Sequence, residues 1–264
     1  MITEIRTELL KVRTTRLSYG LLATGAGITA MFSILESARA GAGGANAPDP
    51  LYTTSGFGTV FSAGIWGLLF AAVLGVTVST TEFRHQTATL TYLATPHRNR
   101  VLTAKMAAGA LTGTVFGLVS FLIAGGTALG FTLARGYRVP LGDATMARFG
   151  VGHLLAGALL AAIGVCLGAL VKSQLAAIVA VFVWAIIIES LIGGLFTATR
   201  PYLPYTAATN LAGTTLGGAA FGPAHTTTAS GAPLPFVAAV ALLAAITAAL
   251  ALTAAATTTP RDIT

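Results

Sequence analysis

Six long apolar runs alternate with polar stretches along the chain: Leu17–Leu35, Phe57–Ser79, Met106–Leu133, Phe149–Val171, Leu175–Thr197 and Pro235–Ala256. Each is near or above the roughly 20 residues that a helix needs to cross a bilayer. The pattern predicts six transmembrane helices. Ahead of them, residues 1–16 place Ile5, Leu9 and Val12 on one face, with Glu4 and Glu8 early and Lys11, Arg13 and Arg16 late. That order suits the helix dipole and predicts a helix at the membrane interface, its apolar side on lipid or on neighbouring spans.

Two stretches do not fit the alternation. Thr81–Lys105 is the longest polar interruption. Its first part carries Phe83, Thr87, Leu90 and Ala94 at i, i+4, i+7 and i+11, with Leu93 beside them, which is an apolar stripe at helical spacing. Pro96 ends that pattern. A short amphipathic helix over 81–96, lying against the membrane face between spans 2 and 3, is one reading. A solvated loop that only fixes topology is the other. The second exception, 199–234, holds Pro201, Pro204, Pro223 and Pro233 around a glycine-rich apolar core. It is too short and broken to cross, so it predicts a re-entrant outer segment before span 6, packed against protein or a watery cavity. An extended outer loop is the alternative.

Composition narrows the class. Of 264 residues, 55% are hydrophobic and 9% charged, too little charge to cover a soluble domain. The chain reads as an all-α integral membrane protein, one transmembrane domain over 1–264. The net charge of +7 is no nucleic-acid footprint, because the basic residues sit at the ends of apolar runs. With both termini inside, ten of the fifteen Lys and Arg residues are cytoplasmic and five are outside, the bias of the positive-inside rule. Ala38-Arg39-Ala40 has the form of a signal-peptide cleavage site, but the apolar run before it is longer than a signal peptide's and its lead is partly acidic.

Several chemistries are absent. No GxxxxGK[ST] loop is present; the nearest fragment, Gly168 to Ser173, lacks the glycine before Lys172. No HExxH occurs, and His85, His97, His153 and His225 are scattered. There is no GxSxG elbow. Cys166 is the single cysteine, so disulfide and CxxC readings fail. Gly109, Gly113 and Gly117, and Gly164 and Gly168, repeat at four-residue spacing and read as close helix packing. Two ionisable residues fall inside spans. Glu189 is costly there and must be satisfied. It either lines a translocation path or dimer seam, or is a hydrogen-bonded group that fixes packing. His153 reads as a packed or interfacial histidine.

The order of polar residues resembles a known family. Glu82-Phe83-Arg84, then Thr87, Leu93, Pro96, Arg98, Arg100 and Lys105, are similar to the E…T…P.sR…K pattern of the membrane subunits of type-2 ABC transporters. The lead Glu8, Lys11, Arg13, Thr14, Thr15, Arg16 is similar too, as are the fifth-span Glu189 and the segment before span 6. The alanine-rich composition is actinobacterial-like. One departure is Gln86, where many relatives carry glycine. The resemblance implies a permease that pairs with a second copy or a paralogue. Each permease would dock through a coupling helix on a separate ABC ATPase subunit. ATP and Mg would then belong to that partner, with no cofactor in this chain. Glu82, Arg84, His85 and Thr87 would lie at the docking surface, with Phe83 and Leu90 as anchors. The cargo implied is an amphiphile (drug, peptide or lipid) exported across a bacterial plasma membrane. The alternatives from other classes are an ATP-independent secondary carrier and a membrane immunity or assembly protein. A carrier often shows interrupted helices in both halves, and the sequence shows one interruption, 199–234.

Overall fold

The computed structural model describes residues 1–43, 47–84, 98–140, 142–213 and 234–258. Regular structure among the described residues is helical throughout, with no strand. Helix α1 (Ile2–Thr14) turns at Thr15, which is extended, into α2 (Arg16–Arg39), the first span. Span 2 is a pair, α3 (Thr54–Ser62) and α4 (Ile65–Arg84). Span 3 is α5 (Arg98–Ala134) and span 4 is α6 (Asp143–Val171). Span 5 runs through α7 (Gln174–Phe182), a π-helical stretch (Val183–Ile188) and α8 (Glu189–Leu195). A 3-10 turn (Thr197–Tyr202) leads to the short α9 (Pro204–Leu211), and α10 (Phe236–Thr258) is span 6. All six spans are long and apolar enough to cross a membrane.

The helices outrun the apolar runs that announced them. Span 2 was expected to stop at Ser79 and instead continues to Arg84. Nothing between those residues breaks a helix, and the Thr80 and Thr81 hydroxyls donate back to the Val76 and Thr77 carbonyls at 2.8 and 2.5 Å. Span 3 begins at Arg98, not Met106. Its first three turns carry Arg100 and Lys105, which find acidic partners on α1. So 81–84, expected as the start of a separate coupling helix, is the last turn of span 2. The rest of that helix, 85–96, lies outside the described residues.

Span 2 is the pillar of the bundle. Some 83% of its most apolar stretch is buried, against 17% for spans 1 and 6. Span 4 packs along spans 2 and 3, span 1 lies across the same two, and span 6 leans on span 4. In lipid, apolar helices have no hydrophobic reason to associate, so close fit must do the work. Gly75 of span 2 faces the Ala161 carbonyl of span 4, and Gly164 of span 4 faces the Ala72 carbonyl of span 2. Gly113 and Gly157 meet in the same reciprocal way between spans 3 and 4. A Cβ at any of these would overlap backbone, which has nowhere to go. Gly164→Val should therefore abolish the monodisperse, detergent-extracted peak. Gly126→Ala, with open space around it, should leave that peak unchanged; equal yields of the two would overturn this account of the packing.

Two interruptions were not legible. Span 2 tightens at Ala63-Gly64, whose amides donate to Val60 and Phe61 carbonyls at 3.1 and 3.0 Å, three residues back. Gly64 packs against the buried His153 ring there. The His153 Nδ1 sits 2.9 Å from the Phe149 carbonyl, and the ring lies among Phe61 and Phe121. That is the packed histidine expected. The second interruption is the π-helical stretch of span 5. At the C-terminal end of span 3, Arg135 donates to the Ser37, Ala38 and Ala40 carbonyls at 2.9, 3.1 and 2.8 Å. It thus satisfies the last turn of span 1.

Candidate functional site

The end of the bundle where α1 meets spans 2 and 3 is organised by four charges. On α1, Glu8 and Lys11 are three residues apart and share a face. Val12, on the same side, packs into the cluster of Phe70, Leu74, Val78 and Phe116 and pulls that face inward. Glu82 stands on the last turn of span 2 and Lys105 on the third turn of span 3. The four side chains close into a ring. Lys11 Nζ donates to Glu8 Oε1 at 2.6 Å and to Glu82 Oε1 at 2.7 Å. Lys105 Nζ donates to Glu8 Oε2 and Glu82 Oε1, both at 2.9 Å, and reaches the Val78 carbonyl at 3.4 Å.

Two acids and two lysines make the ring formally neutral, which is what allows it to be buried. Glu8, Glu82 and Lys105 are 5%, 7% and 5% exposed. Burial works against the charge on Lys11. The hydrogen bonds to Glu8 and Glu82, and the charges of both, outweigh it and hold the ammonium above the ordinary lysine range. The ring therefore joins α1 to the two helix ends that flank 85–97. A second, exposed pair, Arg100 Nε to Glu4 Oε2 at 3.1 Å, adds a weaker tie between α1 and span 3.

The residues expected at the docking surface divide by position. The Glu82 carboxylate is turned into the ring, not outward. Phe83 is half-buried. Arg84 is exposed and its Nη1 reaches Gln174 Oε1 at the start of span 5, at 3.2 Å. His85, Thr87 and Leu90 lie outside the described residues. The signal for the ring was present in the sequence, as a Glu-x-x-Lys on the inward side of α1. Ile5, Leu9 and Val12 form the more conspicuous stripe beside it and obscure it.

Glu189 forms a second polar site, inside the bundle. Its Oε1 accepts from the Tyr205 amide at 2.7 Å and from Trp184 Nε1 at 3.0 Å. Its Oε2 accepts from the Thr206 amide at 2.8 Å and the Thr206 hydroxyl at 2.9 Å. Tyr205 and Thr206 are the second and third residues of α9, whose first residue is Pro204. Proline has no amide hydrogen to place, so the carboxylate takes the free donors that follow it at the positive end of the helix. Tyr205 in turn donates its hydroxyl to the Ile65 carbonyl beside the break in span 2, at 2.8 Å. Of the two readings of Glu189, the geometry is that of a hydrogen-bonded group fixing helix packing. Of the segment 199–234, the described part enters the bundle: Ala207, Ala208, Leu211 and Ala212 are buried. Residues 214–233 lie outside the description.

The family model described as ABC-2 family transporter protein matches residues 4–188. The chain belongs to this family. The match takes in α1, the ionic ring and spans 1 to 4, and ends within span 5, one residue before Glu189. No curated protein matches the chain. As an ABC-2 transporter protein the chain is a multi-pass membrane permease, the membrane subunit of a transporter. Among the described residues no cluster of His, Cys, Asp and Glu could hold a metal ion.

Proposed function

We propose that this permease is the membrane half of an ATP-driven exporter. It pairs with a second copy or a paralogue, and each permease docks on a separate ABC ATPase that binds ATP and Mg. The 85–97 loop and both ends of the chain lie in the cytoplasm of a bacterial cell. The cargo is an amphiphile (a drug, peptide or lipid), because the span surfaces are alanine, leucine, valine and glycine with no charge cluster to select an ion.

The observation that carries this reading is the ionic ring. It binds α1 and both ends of the 85–97 loop into one unit, so that a push on the loop moves spans 2 and 3 and α1 together. Phe83 and Arg84 sit at the point where that unit meets the loop and are the docking residues left accessible. Glu82 serves docking through the ring and not by its own contact. The carrier alternative loses its proton site, since four donors already fill both oxygens of Glu189.

The test is co-purification with the ATPase encoded beside the chain. Wild type should elute with it as one complex. Phe83→Ala with Arg84→Glu should weaken that complex about 30-fold, the scale of a lost interface hot spot, while the melting midpoint stays put because the ring is untouched. If wild type runs alone, or if the double variant retains both the complex and its transport-linked ATP hydrolysis, the docking assignment is wrong. A carrier or an assembly factor then becomes the better account.

A further inference from the structure

With Glu4 and Glu8 both engaged inward, α1 is left with a second, opposite face. At 100° per residue, Ile2, Arg6, Leu10 and Arg13 fall within one quadrant of the helix, turned away from Glu4, Glu8 and Lys11. Ile2 is 85% and Leu10 52% exposed. Arg6, Arg13 and Arg16 are exposed. None of the three has an acidic partner among the described residues, because Glu4, Glu8 and Glu82 are taken by Arg100, Lys11 and Lys105. The sequence had placed the apolar stripe Ile5, Leu9, Val12 toward lipid or neighbouring spans. The structure packs Val12 of that stripe into the bundle, leaves Ile5 and Leu9 half-buried, and presents a mixed basic and apolar face beside them.

We infer that this outer face of α1 is a binding surface for anionic phospholipid headgroups. Ile2 and Leu10 fit among acyl chains at the interface, and the long arginine stems carry their guanidinium groups back to the phosphate level. Arg6 and Arg13 are two turns apart, about 10.5 Å along the axis, which suits separate headgroups. Planar guanidinium groups pair with phosphate through paired hydrogen bonds. Two uncompensated cations on this face, with the exposed Arg16 just beyond it at the start of span 1, select anionic over zwitterionic lipid. This inference stands on the membrane fold alone and needs no ATPase, so it can fail while the exporter reading holds, and the reverse.

The test uses the purified full chain in a zwitterionic detergent, titrated with dioleoyl-phosphatidylglycerol and, separately, dioleoyl-phosphatidylcholine. Retained lipid is counted by native mass spectrometry and the melting midpoint is followed in parallel. Wild type should prefer phosphatidylglycerol and lose it as sodium chloride rises. Each arginine removed should cost on the order of fivefold in apparent affinity, so Arg6→Gln, Arg13→Gln, Arg16→Gln together should cost on the order of a hundredfold. The matching triple change to lysine should stay within roughly fivefold of wild type. Equal binding of the two lipids overturns the inference. So does a glutamine triple that binds phosphatidylglycerol like wild type, including one that loses the ATPase instead, which would assign the face to that partner. Should the glutamine triple fail to fold, the salt titration of wild type decides: a flat response overturns it.

Discussion

Lys105→Met should lower the melting midpoint of the purified permease more than any other single change at the α1 end of the bundle, and adding Glu82→Gln should recover part of the loss. Lys105 is the buried lysine of the ring and reaches both acids. Removing it leaves Glu8 and Glu82 sharing Lys11 alone, so a buried site that was neutral acquires one net negative charge. Breaking a buried ion pair by deleting one partner typically costs about 3–5 kcal/mol, because the remaining charge is left uncompensated. Glu82→Gln in the same chain restores neutrality, with Glu8 facing Lys11. The double variant should therefore be less destabilised than the sum of the singles by about 1–3 kcal/mol, the coupling expected of residues in one network. Strict additivity, or a double variant worse than the sum, would mean that the four charges do not act as a unit. The same variant separates stability from function. A Lys105→Met, Glu82→Gln protein that folds and binds the ATPase, yet no longer couples hydrolysis to transport, would place the ring in the linkage between loop and spans.

The spans were legible because hydropathy over about twenty residues is a strong signal in a chain with so little charge. Their ends were not. Hydropathy reports where lipid stops, whereas the helix stops only where its backbone loses partners. Helix runs through the polar start of span 3 where Arg100 and Lys105 are satisfied by α1, a fact held in Glu4 and Glu8 nearly a hundred positions away. For the same reason Glu82 read as a surface residue: an acid next to a basic loop carries no local sign that two lysines from other elements converge on it. Glu189 was legible as a buried charge needing partners. The partners themselves were not, because backbone amides of Tyr205 and Thr206 have no sequence signature. What could be read was a proline-broken segment that enters the bundle; the amides that reach Glu189 are the unpaired first donors of the short helix that Pro204 opens. The break at Ala63-Gly64 depends on the His153 ring filling the space beside Gly64, a packing contact between two spans that neither span announces.

Glu189→Gln should release α9 from span 5 while leaving the six-span bundle assembled. Four donors converge on the two carboxylate oxygens of Glu189: two amides, one indole and one hydroxyl. Glutamine keeps the shape but offers one acceptor oxygen, and its amide nitrogen brings two further donors to a place whose four donors already match the carboxylate's acceptor sites. At least one donor pair loses its acceptor, and an unsatisfied buried donor costs about 1–3 kcal/mol, more when the lost bond was to a charge. Most of that cost falls on α9. Among the described residues Tyr205 ties its start to span 2 by a hydrogen bond to the Ile65 carbonyl, whereas the spans are held by reciprocal glycine contacts elsewhere. Hydrogen exchange reads the difference directly. The Tyr205 and Thr206 amides should exchange roughly a hundredfold faster in the variant, the factor given by about 2.7 kcal/mol of easier local opening. The amides of span 4 around Gly164 should keep their protection. Uniform loosening of both regions would make Glu189 a general stabiliser of the bundle and not the anchor of α9. Unchanged exchange at Tyr205 and Thr206 would mean that α9 is held by packing of Ala207, Ala208 and Leu211 alone. If α9 does loosen selectively and transport falls with it while ATPase binding persists, the segment before span 6 takes part in the transport step itself, on the side of the membrane away from the ionic ring.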